Sequence, residues 1–129
     1  MVKVKKLSHY RGGATGNCFK IYAAQDKPWT IASVFGEVTP KLPRVLVPTG
    51  LEIIIEGNFG VEISGRAGLA SKHGIILLNP MVLTEENYGE LKVVLCNLGG
   101  AEFTIFPGDI IGEAKIVKLA SKEDVEEIC

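Results

Sequence analysis

Apolar and polar residues alternate along this chain in short runs, and turn-forming residues separate the runs. The runs cover residues 19–23, 44–47, 51–55, 61–64, 74–78, 91–97, 103–106 and 110–119. Their length and their content of Val, Ile, Leu and Phe predict β-strands. Between them stand Gly12-Gly13, Lys27-Pro28, Pro48-Thr49-Gly50, Glu56-Gly57-Asn58, Asn79-Pro80, Gly99-Gly100 and Pro107-Gly108-Asp109, which predict turns. The stretch Glu90-Leu91-Lys92-Val93-Val94-Leu95 departs from strict alternation, as expected where both faces of a sheet are partly covered. Many short strands at this spacing indicate an all-β sandwich, jelly roll or barrel. Two segments break the pattern. Residues 66–73 contain good helix formers and predict a turn or two of helix. Residues 121–128 open on a possible N-cap, Ser121, with acids in the first turn, and predict a short, frayed helix. With no internal repeat or low-complexity linker, the expected organisation is one β domain over 1–120 and a short acidic tail over 121–129.

Composition narrows the function classes. The chain has 129 residues, enough for one core that subunit contacts would reinforce. A formal net charge of −1 argues against a broad electrostatic grip on nucleic acid. The lysines of the first six residues are followed by no apolar run of signal or membrane-span length. Cys18, Cys96 and Cys129 fit neither a zinc spacing nor a disulfide framework and are expected to be inert thiols in a reducing cytosol. Several residues read most simply as structural. His9 lies in an expected mobile start, His73 at a helix end, and Trp29 packs on the sheet or a subunit rim. Glu85-Glu86 form a solvated hairpin tip, and Gly108-Asp109 form a tight turn.

The central motifs carry more. Val47-Pro48-Thr49-Gly50-Leu51, then Gly60-Val61-Glu62-Ile63, then 66–75 (RAGLASKHGI) occur in order. Upstream stands 17–24 (NCFKIYAA); downstream stand 89–97 (GELKVVLCN), Phe103-Thr104-Ile105 and 107–113 (PGDIIGE). Together they resemble the trimeric dUTPase family over roughly residues 15–119, including its AGYDLYAA-like first motif, its RSGLA and KHGI segment and its GDRIAQ-like fourth motif. Ordered matches of this kind are more specific than a lone motif. The resemblance implies a jelly-roll-like subunit, a homotrimer, and nucleotide pockets at subunit interfaces.

Against that pattern several positions differ. The first motif's aspartate, which holds water-coordinated Mg²⁺ around the triphosphate, is matched by Lys20; an ammonium cannot ligate a cation but can pair with phosphate. Arg66 keeps the second motif's arginine, while its serine becomes Ala67 and the preceding proline becomes Gly65. Arg66 can grip phosphate, and the turn through Ala67 and Gly68 can offer N–H groups. Asn79 matches an asparagine near the base. A gapless match puts Thr84 at the catalytic aspartate and Asn87 at the sugar-stacking tyrosine; a one-residue deletion puts Glu85 and Tyr88 there instead. A neutral threonine hydroxyl is a poor base near pH 7. No glycine-rich arm resembling the fifth motif follows Leu119.

These departures lead to the expectation of a catalytically degenerate member without a cofactor. It would bind and sequester a nucleotide or nucleotide-derived signal, such as a cyclic dinucleotide, in the cytoplasm, and counter host defence if the source is viral. Two alternatives stand beside it. One is a diverged, active dUTP nucleotidohydrolase using Glu85 and Mg²⁺. The other is a protein-binding regulator on the same scaffold, docking through Val125 and Ile128.

Overall fold

The computed structural model describes residues 1–33, 35, 43–80, 82–83 and 89–128. Thr84, Glu85, Asn87, Tyr88 and Cys129 lie outside the described residues. Strands β1 (Val2–Lys6), β2 (Cys18–Tyr22), β3 (Trp29–Ile31), β4 (Arg44–Ile55) and β5 (Phe59–Ser64) precede the helix α1 (Ala67–His73). Strands β6 (Ile75–Leu77), β7 (Val82–Leu83), β8 (Glu90–Asn97), β9 (Phe103–Ile105) and β10 (Ile110–Lys118) follow it, and a 3₁₀ turn spans Lys122–Asp124. One four-stranded sheet runs β1-β4-β8-β6, a second runs β2-β10-β5-β7, and β3 pairs with β9. Pairing is antiparallel throughout these sheets. A single hydrophobic cluster takes Val47, Leu51, Val93 and Leu95 from the first sheet and Ile21, Val61, Ile63 and Ala114 from the second. The sheets therefore share one core, as the alternation predicts.

Two expectations are corrected. The opening residues are not a mobile start: β1 pairs with β4 from Val2↔Ile55 to Lys6↔Leu51. Val2 and Val4 pack against the core while Lys3 and Lys5 are exposed, so three lysines conceal an ordinary period-two strand. His9 is also engaged, its Nε2 lying 2.5 Å from the Glu90 carboxylate.

Pro48-Thr49-Gly50 is not a turn between two strands. β4 runs through it, with a register shift against β8 between Pro48 and Glu52. Bulges of this kind bend a strand without ending it. Thr49 is fully buried; its hydroxyl donates to the Leu91 carbonyl (2.5 Å) and accepts from the Leu51 N–H (3.3 Å). The Gly50 N–H donates to Glu90 Oε2 at 2.8 Å. Gly50 has φ 70°, and a Cβ there would stand 2.6 Å from the Tyr10 Cα. Both the positive φ and the close approach require glycine.

The helical segment forms where expected. Gly74 closes α1 in the left-handed conformation, its N–H donating to Ala70 O, with Lys72 and His73 in the last turn. A Cβ on Gly74 would reach within 2.5 Å of the Gly99 N, so the helix end packs directly on the β8–β9 turn. Asn97 organises that turn from a fully buried position: its Nδ2 donates to Ile31 O (3.0 Å) and Ala101 O (2.9 Å), and its Oδ1 accepts from Gly99 N (2.9 Å). At the chain's end, the Asp124 carboxylate accepts from the N–H and hydroxyl of Ser121, while Val125 and Ile128 are exposed.

Asn97→Ala leaves one buried and two part-buried backbone groups without this partner and is expected to cost about 2–4 kcal/mol in urea unfolding. Asn58→Ala removes one amide bond to Leu119 O at an exposed edge and should cost about 1 kcal/mol or less. Equal losses would show that Asn97 is not the organising residue.

Candidate functional site

The second sheet carries Lys20, and the segment after β5 carries Arg66. β5 ends at Ser64, Gly65 follows, and Arg66 takes an extended conformation (φ −93°, ψ 128°) at the head of α1. Arg66 stands on the rim of two clefts. One, of about 290 Å³, lies between α1 and the start of β10 and is lined also by Leu69, Lys72, His73, Phe103 and Asp109. The other, of about 420 Å³, is lined also by Glu62, Ser64, Ala67, Leu77 and Pro80. A guanidinium at this junction can reach an anion in either cleft, and its planar fork suits phosphate. Gly68 lines the first cleft and Ala67 the second.

Other residues of these clefts have structural partners. The Asp109 carboxylate accepts from the Phe106 N–H at 2.9 Å, closing the 106–109 turn in which Gly108 has φ 88°. His73 lies with its ring 4.9 Å from that of Phe103, consistent with a packed helix end. Trp29, which lines neither cleft, pairs with Ile105 and packs against the core.

Lys20 lies on β2, an edge strand, and is exposed. Its cross-strand partner is Glu113 on β10, whose partner on the other side is Ser64 on β5. All three are exposed and form one row across the sheet: ammonium, carboxylate, hydroxyl. The register that aligns them includes an extra residue in β10 between Ile110 and Gly112. The ion pairs among the described residues join Lys3 to Glu56 and His9 to Glu90, and neither takes in Lys20, Glu113 or Arg66. Sequence alone does not single out Glu113 and Ser64; the available signal is that Glu113 ends the fourth-motif run.

Asn79 is held on β8. Its Nδ2 donates to Lys92 O (3.2 Å) and its Oδ1 accepts from Val94 N (2.9 Å), which ties the chain after β6 to β8. Its neighbour Pro80 lines the same cleft as Arg66 and Ala67. The alternatives for the base and the sugar-stacking ring, Thr84 or Glu85 and Asn87 or Tyr88, lie outside the described residues.

Among the described residues no three His, Cys, Asp or Glu side chains converge to cage a metal. A hard cation that keeps water and phosphate ligands needs only one or two carboxylates nearby. Glu113, solvent-facing in a row with Lys20, meets that requirement, so the donor set fits an ion that arrives with phosphate and not one held by the protein alone.

Comparison with known proteins agrees with the geometry. The dUTPase family model matches residues 36–126. The deoxyuridine 5'-triphosphate nucleotidohydrolase of Rickettsia felis is 37% identical over 91% of this chain and 78% of its own length. That of Fusobacterium nucleatum is 40% identical over 74% of this chain and 66% of its own, and that of Wolinella succinogenes 41% over 70% and 58%. The matched region thus spans just under two thirds of the Fusobacterium relative and less of the Wolinella one. Among solved structures, native EIAV dUTPase superposes with a TM-score of 0.71 at 16% identity, covering 95% of this chain and 92% of its own. A mutant Staphylococcus bacteriophage 80alpha dUTPase with dUpNHpp gives 0.74 at 14%, covering 99% and 96%.

These relatives correct the functional expectation. A non-catalytic protein sequestering a cyclic dinucleotide was expected from a few replaced positions. Relatives 37–41% identical are instead named as dUTP nucleotidohydrolases. The replacements at Lys20 and Ala67 leave Arg66 and the two clefts it lines in place. A divalent ion bound mainly by phosphate and water tolerates the loss of one nearby carboxylate. With its family match over residues 36–126, its Rickettsia relative and its dUTPase-like sheets, the chain belongs to the dUTPase family.

Proposed function

We propose that this chain hydrolyses dUTP to dUMP and pyrophosphate, as a homotrimer with Mg²⁺ accompanying the substrate. The observation that carries this reading is the 37% identity, across 91% of the chain, to an enzyme named for that reaction. The site is compatible with it. Arg66 pairs with phosphate oxygens, the N–H groups of Ala67 and Gly68 lie beside it, and Lys20 supplies a second cation from β2. When bound, Mg²⁺ neutralises charge on the phosphate oxygens. Water adds across the bond between the α- and β-phosphates, pyrophosphate leaves, and a carboxylate must accept the water's proton. Hydrolysis therefore favours the match that puts Glu85 at the base and Tyr88 beneath the sugar, because a threonine hydroxyl at 84 does not serve near pH 7.

The trimer accords with apolar side chains on the outward face of the first sheet. Leu46 is 50% exposed, and its cross-strand partner Val94 is half-buried. Light scattering should return about 42 kDa, three times the 13.9 kDa chain; a monomer mass would remove interface pockets from the account.

Glu85→Gln is expected to lower kcat by about 10²–10⁴-fold with little change in KM, as for loss of a general base. Thr84→Val should retain nearly the parent rate. The reverse pattern in a pyrophosphate-release assay would favour the gapless match. Arg66→Ala should weaken dUpNHpp binding by calorimetry about 10- to 100-fold, the loss of a charge-assisted contact worth about 1.5–3 kcal/mol. Unchanged affinity would place the phosphates elsewhere.

A further inference from the structure

We propose that Glu113 is the carboxylate through which this site engages the hydrated divalent ion carried by a nucleoside triphosphate, while Lys20 beside it contacts phosphate. This rests on the dUTP reading above and assigns two residues within it.

The argument begins with the backbone. Ile110 pairs with Tyr22, yet Gly112 and not Ile111 pairs with Ile21, so one residue of β10 is extra. Ile111 and Gly112 are consecutively buried, which strict alternation forbids. After the bulge, Ala114 faces the core and Glu113 faces solvent. Bulges re-aim side chains at functional sites. Gly112 allows the close approach this requires, since a Cβ there would stand 2.9 Å from Ser64 O.

The chemistry follows from the row that the bulge creates. Lys20, Glu113 and Ser64 are directly opposed across three strands, and Arg66 follows Ser64 by two residues. No hydrogen bond or ion pair among the described residues takes up the side chains of Lys20, Glu113 or Arg66. On the same face, Lys115 stands in register with Glu62, a charge-balanced row, and the cation opposite Glu113 is Lys20 on β2. Lys20 and Ser64 on either side of Glu113, with Arg66 two residues beyond Ser64, complement a polyphosphate with its counter-ion: anion to Arg66 and Lys20, hydrated cation to Glu113. Glu113 stands one strand, about 4.8 Å, from the first-motif position that Lys20 occupies. A carboxylate acting through metal-bound water can act from either strand.

The test uses the full chain with dUpNHpp and Mn²⁺ as the ion, read by electron paramagnetic resonance. Glu113→Gln should weaken Mn²⁺ binding to the protein–nucleotide complex about 10- to 100-fold, typical of outer-shell partners. Nucleotide affinity without the ion should not fall. Lys20→Gln should do the opposite, weakening ion-free nucleotide binding. The double variant Lys20→Asp/Glu113→Gln moves the carboxylate to β2 and should recover Mn²⁺ affinity. An ordinary surface ion pair would show none of this separation. Unchanged Mn²⁺ affinity in Glu113→Gln, or no recovery in the double variant, would overturn the assignment. If the wild type binds Mn²⁺·dUpNHpp and responds as expected but releases no pyrophosphate from dUTP, hydrolysis fails and this assignment stands. If it turns over dUTP while Glu113→Gln leaves Mn²⁺ binding intact, the assignment alone fails.

Discussion

One extra residue in β10 fixes the outward face of the second sheet. In strict register with β2, Glu113 would stand opposite Phe19 and point into the core, and Ala114 would face water. An unpaired carboxylate buried there would cost several kcal/mol. The core demands Ile111 and Ala114, 2% and 0% exposed, on its side of the sheet. Packing and charge therefore agree only if the strand bulges, and Gly112 is the residue whose lack of a side chain permits it. The same bulge aligns Lys20, Glu113 and Ser64. The interaction that closes the core thus also arranges the polar row beside Arg66.

The row changes the meaning of the substitutions seen in the sequence. Lys20 alone reads as the loss of a metal-binding acid and of catalysis with it. Beside Glu113 it reads as an exchange of charges between neighbouring strands. Magnesium needs little from a protein when phosphate and water supply most of its ligands. What the site must provide is cations for phosphate, a carboxylate for the hydrated ion and a base for water. Arg66 and Lys20 are proposed for the first need, Glu113 for the second and Glu85 for the third.

Much of the fold is legible along the chain. The strands through 19–23, 61–64, 91–97 and 110–119, the helix ending at Gly74 and the turn at Gly108-Asp109 all announce themselves by periodicity or turn chemistry. The first strand is hidden because its lysines mask two core-packed valines. The strand through Pro48-Thr49-Gly50 is hidden because a bulge uses the same residues as a turn, and only the contacts from Thr49 and Glu90 distinguish them. Asn97 carries no sequence signal because its three partners are backbone groups, two in the turn that follows it and one on the distant β3. Arg66 and Lys20 were visible through family motifs. Glu113 stands at the end of the fourth-motif run, but its proposed role was not legible, because that depends on which residue it faces, and register is a property of the sheet. The choice between 84 and 85 turns on a one-residue difference in the family match, which residue types alone do not fix.

The most direct test of the account is to incubate the purified chain with dUTP and Mg²⁺ and separate the nucleotides by chromatography. Conversion to dUMP with one pyrophosphate released per nucleotide, abolished by chelation of the ion, is the predicted result. Recovery of intact dUTP at enzyme concentrations equal to the substrate would contradict it.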